Sequence, residues 1–192
     1  MVLRRRGVWT AALLVSTFAI GACRSPVAEA PPPVADAPAP GELEAIRRTL
    51  DELYAAFCFD AGKEADWERV RALSIDGAVW IAPIEPATAA RAEGTDAFLS
   101  GFRETIHATP ELALGFHERI VHARIDLFGT VAHAWVAFEG FVPGDGGART
   151  RGLDSLQLVF ARGEWRVASF TTQYEGGELS LPRRFVAPRG RE

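Results

Sequence analysis

Two cysteines, one methionine and two tyrosines in 192 residues leave few of the side chains on which disulfide, thiol or soft-metal chemistry is built. Two cysteines cannot form a disulfide framework, and four histidines with no Cys pair at metal-ligand spacing argue against a structural zinc site. A basic surplus is also missing. The 21 Lys and Arg against 25 Asp and Glu give a formal charge of −4, so the chain lacks the positive field that binding a nucleic acid backbone requires. There is no internal repeat, no glycine-rich phosphate loop between a strand and a helix, and no Gly-x-Ser-x-Gly elbow, so neither a nucleotide nor any other cofactor is expected. What is present is 48% hydrophobic, 24% charged and 10% aromatic, the composition of one ordinary globular domain.

The domain does not begin at the first residue. Arg4, Arg5 and Arg6 precede an uncharged stretch of 16 residues, Gly7 to Ala22, the pattern of a secretory signal peptide. A membrane span needs roughly 20 apolar residues, so this stretch is too short to serve as one. It ends Ile20-Gly21-Ala22-Cys23, which resembles the bacterial lipobox. That resemblance implies cleavage before Cys23, acyl chains on Cys23, and a protein held in the cell envelope facing the periplasm or the exterior. Arg24 follows, and the absence of Asp there points by the same analogy to the outer membrane where one exists. Loss of the three arginines leaves 18 basic against 25 acidic side chains. Such a domain is not drawn to anionic lipid, so attachment rests on the acyl chains. Residues 23–40 continue as a Pro/Ala-rich linker. Pro26 to Pro40 holds six prolines and five alanines in fifteen residues, an extended spacer of about 45 Å at ~3.1 Å per residue. At the other end, residues 182–192 read as a basic flexible tail.

Between these segments, residues 41–181 carry periodic patterns. Leu43, Ile46, Leu50, Leu53, Tyr54 and Phe57 form one helical stripe, with Gly62 as a stop. Asp66 starts a second helix that buries Trp67, Val70 and Leu73, Asp76-Gly77 turns the chain, and Ala78 to Ile84 reads as a strand. A third short helix follows Gly94, with Thr95 as its cap and Phe98, Leu99, Phe102 and Ile106 as its buried side. Leu114 to Phe128, Val131 to Val142, Leu153 to Ala161 and Trp165 to Tyr174 are β-branched and aromatic, and Gly129-Thr130, the loop Pro143 to Thr150 and Arg162-Gly163 separate them as hairpin connections. Helices followed by an antiparallel meander give an α+β domain whose sheet buries its apolar face under the helices.

The order of these elements, with Trp80-Ile81-Ala82-Pro83 and Gly94-Thr95-Asp96-Ala97-Phe98, resembles the nuclear transport factor 2-like superfamily, which includes the SnoaL-like polyketide cyclases and the steroid delta-isomerases. Phe116-His117-Glu118-Arg119, Phe128-Gly129-Thr130-Val131-Ala132-His133 and Arg151 to Leu158 resemble an uncharacterised bacterial branch of it. The resemblance implies a cone-shaped barrel, a curved antiparallel sheet wrapped around a long N-terminal helix with two further short helices. It also implies a mostly apolar pocket that takes a small apolar molecule, and sheets that pair face to face as a homodimer. Superfamily membership alone assigns no chemistry.

The residues expected at the pocket are Tyr54, Cys58, Trp80, Glu118, His133, Trp135 and Gln157. Tyr54 and Cys58 are four apart on one helix face. Tyr54 either donates to a ligand oxyanion, as the resemblance to steroid isomerases implies, or is a core tyrosine satisfied by the opposite sheet. Cys58 has no cationic neighbour in sequence to activate it and reads as a buried thiol. Strict alternation places Phe116, Glu118, Ile120 and His122 on one face. Glu118 is then a general acid or base raised by burial, or it pairs with Arg119 or Arg151. His117 and His122 are five apart on a strand and point to opposite sides, which excludes a zincin motif. His133 shares a face with Trp135 and pairs with Glu118 or Gln157, or else is a structural histidine. The cyclases and isomerases use a sheet aspartate as base. Between Ser155 and Thr172 the sole acid here is Glu164, in a turn, and Asp154 enters a pocket only if its strand does so from that end. Three functions therefore stand side by side: a ligand-binding envelope lipoprotein, an enzyme using Glu118 with His133 and Tyr54, and a dimeric interaction module.

Overall fold

The computed structural model describes residues 40–82, 90–144 and 149–185. The expected signal peptide, Cys23, the expected linker up to residue 39 and the last seven residues lie outside the described residues, as does the end of the strand expected to reach Ile84. Helix α1 spans Pro40–Phe57 and buries Ile46, Leu50, Leu53, Tyr54 and Phe57 along the predicted stripe. It ends well before Gly62, because Phe59 and Asp60 leave the helix to pair with Phe116 and Gly115 as a two-residue strand, β1 (Phe59–Asp60). Helix α2 (Trp67–Ala72) is one and a half turns long, and Asp66 Oδ1 accepts from Arg69 N at 2.9 Å as its cap. Strand β2 (Ser74–Ile81) begins earlier than the sequence pattern indicates. Asp76-Gly77 is not a turn between elements but part of an irregularity inside that strand, between Ser74 and Val79.

Strand β3 (Ala92–Gly94) leads into helix α3 (Thr95–Ala108), which at 14 residues is not short. Thr95 does not cap it. Gly94 holds the cap position, and the Thr95 hydroxyl accepts from Trp80 Nε1 at 3.0 Å. A 3₁₀ turn (Pro110–Leu114) precedes the meander of β4 (Gly115–Phe128), β5 (Val131–Phe141), β6 (Arg149–Ala161) and β7 (Glu164–Tyr174). The turn from β6 to β7 has φ of 55° at Arg162 and 87° at Gly163, as a two-residue hairpin of type I′ requires at both central positions.

The seven strands are ordered β1-β4-β5-β6-β7-β2-β3. The sheet is mixed, not antiparallel throughout, because β2 lies parallel to β7. The chain between β2 and β7 contains β3, α3 and the strands β4 to β6, ample length for a parallel return. Helix α1 packs on one face of this sheet, touching β4 and β7, and Thr49 Oγ1 hydrogen-bonds the Trp165 carbonyl oxygen at 3.3 Å. That inner face carries Ala132, Ala134, Val136 and Phe138 of β5, Leu156 and Leu158 of β6, and Val167 and Phe170 of β7. Trp80, fully buried, stacks on Phe98 and on Phe170 with ring centroids 4.9 Å apart in each case. Each such large apolar side chain contributes roughly 1.5–3 kcal/mol by leaving water. The chain continues past residue 182 as folded structure: Arg183–Phe185 form a 3₁₀ turn and Phe185 is buried against Trp135, ring centroids 5.3 Å apart. Residues 183–185, read from the composition as part of a flexible tail, are therefore folded.

Candidate functional site

Four elements bring oxygen-bearing side chains into an otherwise apolar interior. Tyr54 comes from the C-terminal half of α1, Glu118 from β4, Asp154 from β6, and Thr172 with Tyr174 from β7. Asp154 is the centre. It is 2% exposed, and both of its oxygens are engaged: Oδ2 accepts from the Tyr54 hydroxyl and Oδ1 from Thr172 Oγ1 at 2.6 Å. Asp154 and Thr172 are direct partners across the β6–β7 ladder, so the backbone register aligns carboxyl and hydroxyl. Burial pushes the Asp154 carboxyl up to about 7, against the opposing pull of the Thr172 and Tyr54 hydrogen bonds. Burial, followed by the neighbouring carboxylates, raises the Tyr54 hydroxyl well above its ordinary value, so it remains a proton-bearing donor.

Glu118 differs from Asp154 in having no partner. Its carboxyl makes no hydrogen bond and no ion pair among the described residues. Burial first, and the Asp154 charge second, push it up to about 8. The two carboxyls therefore interact, and near neutral pH the proton is held chiefly by Glu118, as expected of like charges sharing a low-dielectric space. The Tyr174 hydroxyl is raised by burial and then by Glu118 and Asp154, which sets it in the same group. Aromatic rings enclose these oxygens. Phe138 lies 6.4 Å from the Tyr54 ring and 5.8 Å from that of Tyr174.

Two glycines make this packing possible. A Cβ at Gly152 would meet the Phe138 ring at 2.5 Å and the Gln173 carbonyl oxygen at 2.7 Å, so the bare backbone of β6 admits Phe138 next to Asp154. Gly140, directly opposite Glu118, would place a Cβ 2.8 Å from Thr150 Oγ1. Cys58 supports β4 from α1: its Sγ lies 3.2 Å from Tyr54 O and accepts from Glu118 N at 3.2 Å. Burial raises its thiol, so it sits as a neutral thiol against the Glu118 backbone.

The seven residues expected at the pocket divide by face. Tyr54, Cys58 and Glu118 come together. Trp80 is on the inner side as well, but within the Trp80–Phe98–Phe170 stack. His133, Trp135 and Gln157 do not join them. On β5 the alternating inner side chains are Ala132, Ala134, Val136 and Phe138, so His133 and Trp135 project from the other face, where Ala137 is buried as well. There His133 Nε2 meets Ser155 Oγ at 3.0 Å, and Gln157 is exposed. His133 therefore pairs with neither Glu118 nor Gln157. Desolvation lowers its pKa, with Asp126 raising it and Arg124 lowering it. His122 also leaves the Glu118 face, because the β4–β5 register shifts between Ile120 and His122 and reverses the alternation. The Tyr54 hydroxyl hydrogen is committed to Asp154, which leaves no donor there for a ligand oxyanion.

Sequence reasoning missed Asp154 as a site residue, together with Thr172 and Tyr174. A signal existed. Asp154 has the same parity as Leu156 and Leu158, a lone acid on the apolar side of its strand. Among the described residues no three His, Cys, Asp or Glu side chains gather as a metal site, and no helix is long and apolar enough to cross a membrane.

No family model and no curated protein matches the sequence. Solved structures do match. A nuclear transport factor 2-like protein of unknown function from Shewanella baltica superposes with a TM-score of 0.51 at 20% identity, covering 74% of this chain and 100% of that one. A protein of unknown function with a cystatin-like fold from Nostoc punctiforme gives 0.56 at 13% identity over 71% of this chain and 93% of that one. A conserved protein from Planctomyces limnophilus gives 0.52 at 16% identity over 70% and 97%. These likenesses establish a nuclear transport factor 2-like, cystatin-like α+β fold and leave its chemistry to the side chains described above.

Proposed function

We propose that the chain is an envelope lipoprotein, anchored through acyl chains on Cys23, whose domain closes as a cone around α1 and binds a small, mostly apolar molecule against its inner face. The single observation that carries this reading is Glu118: a carboxyl without a protein partner, facing an apolar interior, and protonated near neutral pH. A protonated carboxyl is a hydrogen-bond donor. It suits a ligand with a carbonyl, ether or hydroxyl oxygen at one end and a hydrocarbon body at the other. Asp154 fixes Tyr54 and Thr172 and so holds the rigid wall behind Glu118, a role for a residue whose own oxygens are both occupied.

Native mass spectrometry of the full chain purified from its membrane tests this. A small-molecule mass lost on denaturation is expected, retained by Glu118→Gln, which keeps a donor, and lost in Glu118→Leu, which does not. Absence of any adduct in the wild-type chain, or retention by Glu118→Leu, rejects the reading. Labelled palmitate tests the anchor: incorporation that vanishes in Cys23→Ser supports it, and unlabelled wild type counts against it.

A second reading is favoured by a specific observation, the pair of carboxyls held at about 7 and about 8 in one apolar space. Environments that separate two acids around neutral pH fit one to give a proton and the other to take it, the arrangement of general acid–base catalysis. In that case Glu118→Gln abolishes turnover of the identified ligand while leaving its binding in place. A carrier shows no turnover to lose.

A further inference from the structure

Outside the Glu118 interior, the surface carries a cleft of about 390 Å³ between the α1–α2 connection, the C-terminal half of α3 and the 3₁₀ turn that follows. That volume falls within the roughly 300–1,000 Å³ of small-molecule sites. Its floor is apolar and aromatic, made by Phe59, Trp67, Ile106 and Leu112. Phe59 and Trp67 are held rigidly from behind, Phe59 by the Phe116 ring at 6.3 Å and Trp67 by the Phe102 ring at 6.0 Å.

The rim is unbalanced in charge. Glu64 is its one carboxylate, and it is paired within the rim: Oε2 accepts from Arg103 Nη2 at 2.9 Å and from Trp67 Nε1 at 3.1 Å. Arg103 also lies over the Trp67 ring, 5.7 Å from its centroid. Lys63 and His107 line the same cleft, and their side chains have no hydrogen-bond or ion-pair partner among the described residues. After the Glu64–Arg103 pair cancels, the rim therefore keeps one full positive charge at Lys63 beside an apolar floor. Against a chain that is acidic overall, this is a local reversal of sign.

From this we infer that the cleft is a second ligand site, separate from the Glu118 interior, for a small carboxylate with an apolar body: the hydrocarbon lies on Phe59, Ile106 and Leu112, and the carboxylate meets Lys63. An amine of the same shape meets the wrong charge, and a neutral alcohol gains the floor contacts without the ion pair.

The test is calorimetric titration of the full chain with octanoate, octylamine and octan-1-ol, with tryptophan fluorescence to locate binding at Trp67. Saturable octanoate binding at least tenfold tighter than that of octylamine is expected, with a fluorescence change that Trp67→Phe removes. Lys63 is exposed and unpaired, so Lys63→Glu keeps the fold, checked by circular dichroism, and weakens octanoate tenfold or more. Ala113→Trp, which fills the cleft from its exposed edge, abolishes binding. In contrast, Glu118→Leu, which removes the interior donor, binds octanoate as the wild type does, which separates this site from the interior one. The inference is overturned by absence of saturable octanoate binding, by equal affinities for octanoate and octylamine, by insensitivity to both Lys63→Glu and Ala113→Trp, or by loss of binding in Glu118→Leu.

Discussion

Glu118 and Glu139 sit on neighbouring strands one register step apart, Glu118 opposite Gly140 and Glu139 opposite Arg119, yet they are opposite kinds of acid. Glu139 projects from the outer face. It accepts from Arg119 Nε at 2.8 Å and Arg149 Nη1 at 3.0 Å, and these arginines, the Arg119 hydrogen bond foremost, hold its carboxyl below the ordinary value. Glu118 projects from the inner face, meets no cation, and is pushed up to about 8. The same side chain thus becomes a permanent anion or a neutral proton donor according to the parity of one strand position. The arginines of the meander strands, Arg119, Arg124, Arg149, Arg151 and Arg166, lie outward or at the strand ends. On the inner face hydroxyls answer Asp154, and the Glu118 carboxyl has no partner among the described residues.

The sharpest way to break this contrast is at Asp154, the one inner acid that is fully satisfied. Asp154→Leu leaves the Tyr54 and Thr172 hydroxyls buried without their acceptor, and a loss of about 3–5 kcal/mol is expected by urea denaturation. Asp154→Asn keeps one acceptor oxygen and loses less. If Asp154→Leu were neutral, the inner polar group would contribute nothing to folding and the contrast between faces would be one of charge alone.

Gly152 tests whether the inner face is held by packing as tightly as by hydrogen bonds. Gly152→Ala forces a methyl onto both the Phe138 ring and the Gln173 carbonyl oxygen. The backbone oxygen cannot swing aside as a side chain can, so a cost of about 1–3 kcal/mol is expected in the same assay. At Gly163, in the β6–β7 turn, a Cβ meets no atom within 4 Å, so Gly163→Ala probes strain at φ of 87° without any clash.

How much of this was legible in the sequence follows the same division of faces. The meander strands β4 to β7 were plain, because long alternating runs bounded by Gly129-Thr130 and Arg162-Gly163 admit few other readings. The two-residue β1 carries no periodicity at all and exists only because β4 offers an edge beside it. The parallel return of β2 onto β7 is likewise a tertiary choice. Within the site, Tyr54 and Cys58 could be found from helical spacing and Glu118 from its place in an apolar strand. His133 and Trp135 misled because bulky aromatics suggest the buried side. On β5 the covered face instead takes small side chains, Ala132 and Ala134, while Trp135 finds cover from Phe185, far away in sequence. His122 was misplaced by a register shift, which alternation cannot foresee.

The pH dependence of stability separates the faces by sign. For Glu118 the native value of about 8 lies above its ordinary 4.5, so between these the folded state binds more protons than the unfolded state. Its contribution is full below about 4.5, is lost as pH rises, and is gone above about 8. Asp154 acts in the same direction from 3.8 to about 7. The denaturation midpoint should therefore fall from pH 5 to pH 8, and Glu118→Gln should remove the decline between about 7 and 8, where Glu118 acts alone, and roughly halve it between 5 and 7, where Asp154 still contributes. An unchanged slope in Glu118→Gln would mean that Glu118 is ionised in the folded protein and that the two faces do not differ as argued.

Glu139 gives the smallest effect and the opposite sign. Its carboxyl is held below the ordinary 4.5, so the stability it adds is present above that value and is lost as pH falls through the native one. Exposed ion pairs are weak and screened by salt. Glu139→Gln should accordingly lower the thermal midpoint slightly at pH 7 and low salt, with the difference vanishing in 1 M NaCl and shrinking as pH falls below 4.5. The comparison gains from this variant because it removes the same carboxylate from the same pair of strands as Glu118→Gln. A salt-independent loss of stability in Glu139→Gln would place Glu139 in a desolvated setting and erase the distinction, whereas salt sensitivity in Glu139→Gln alone assigns water to one face of the sheet and hydrocarbon to the other.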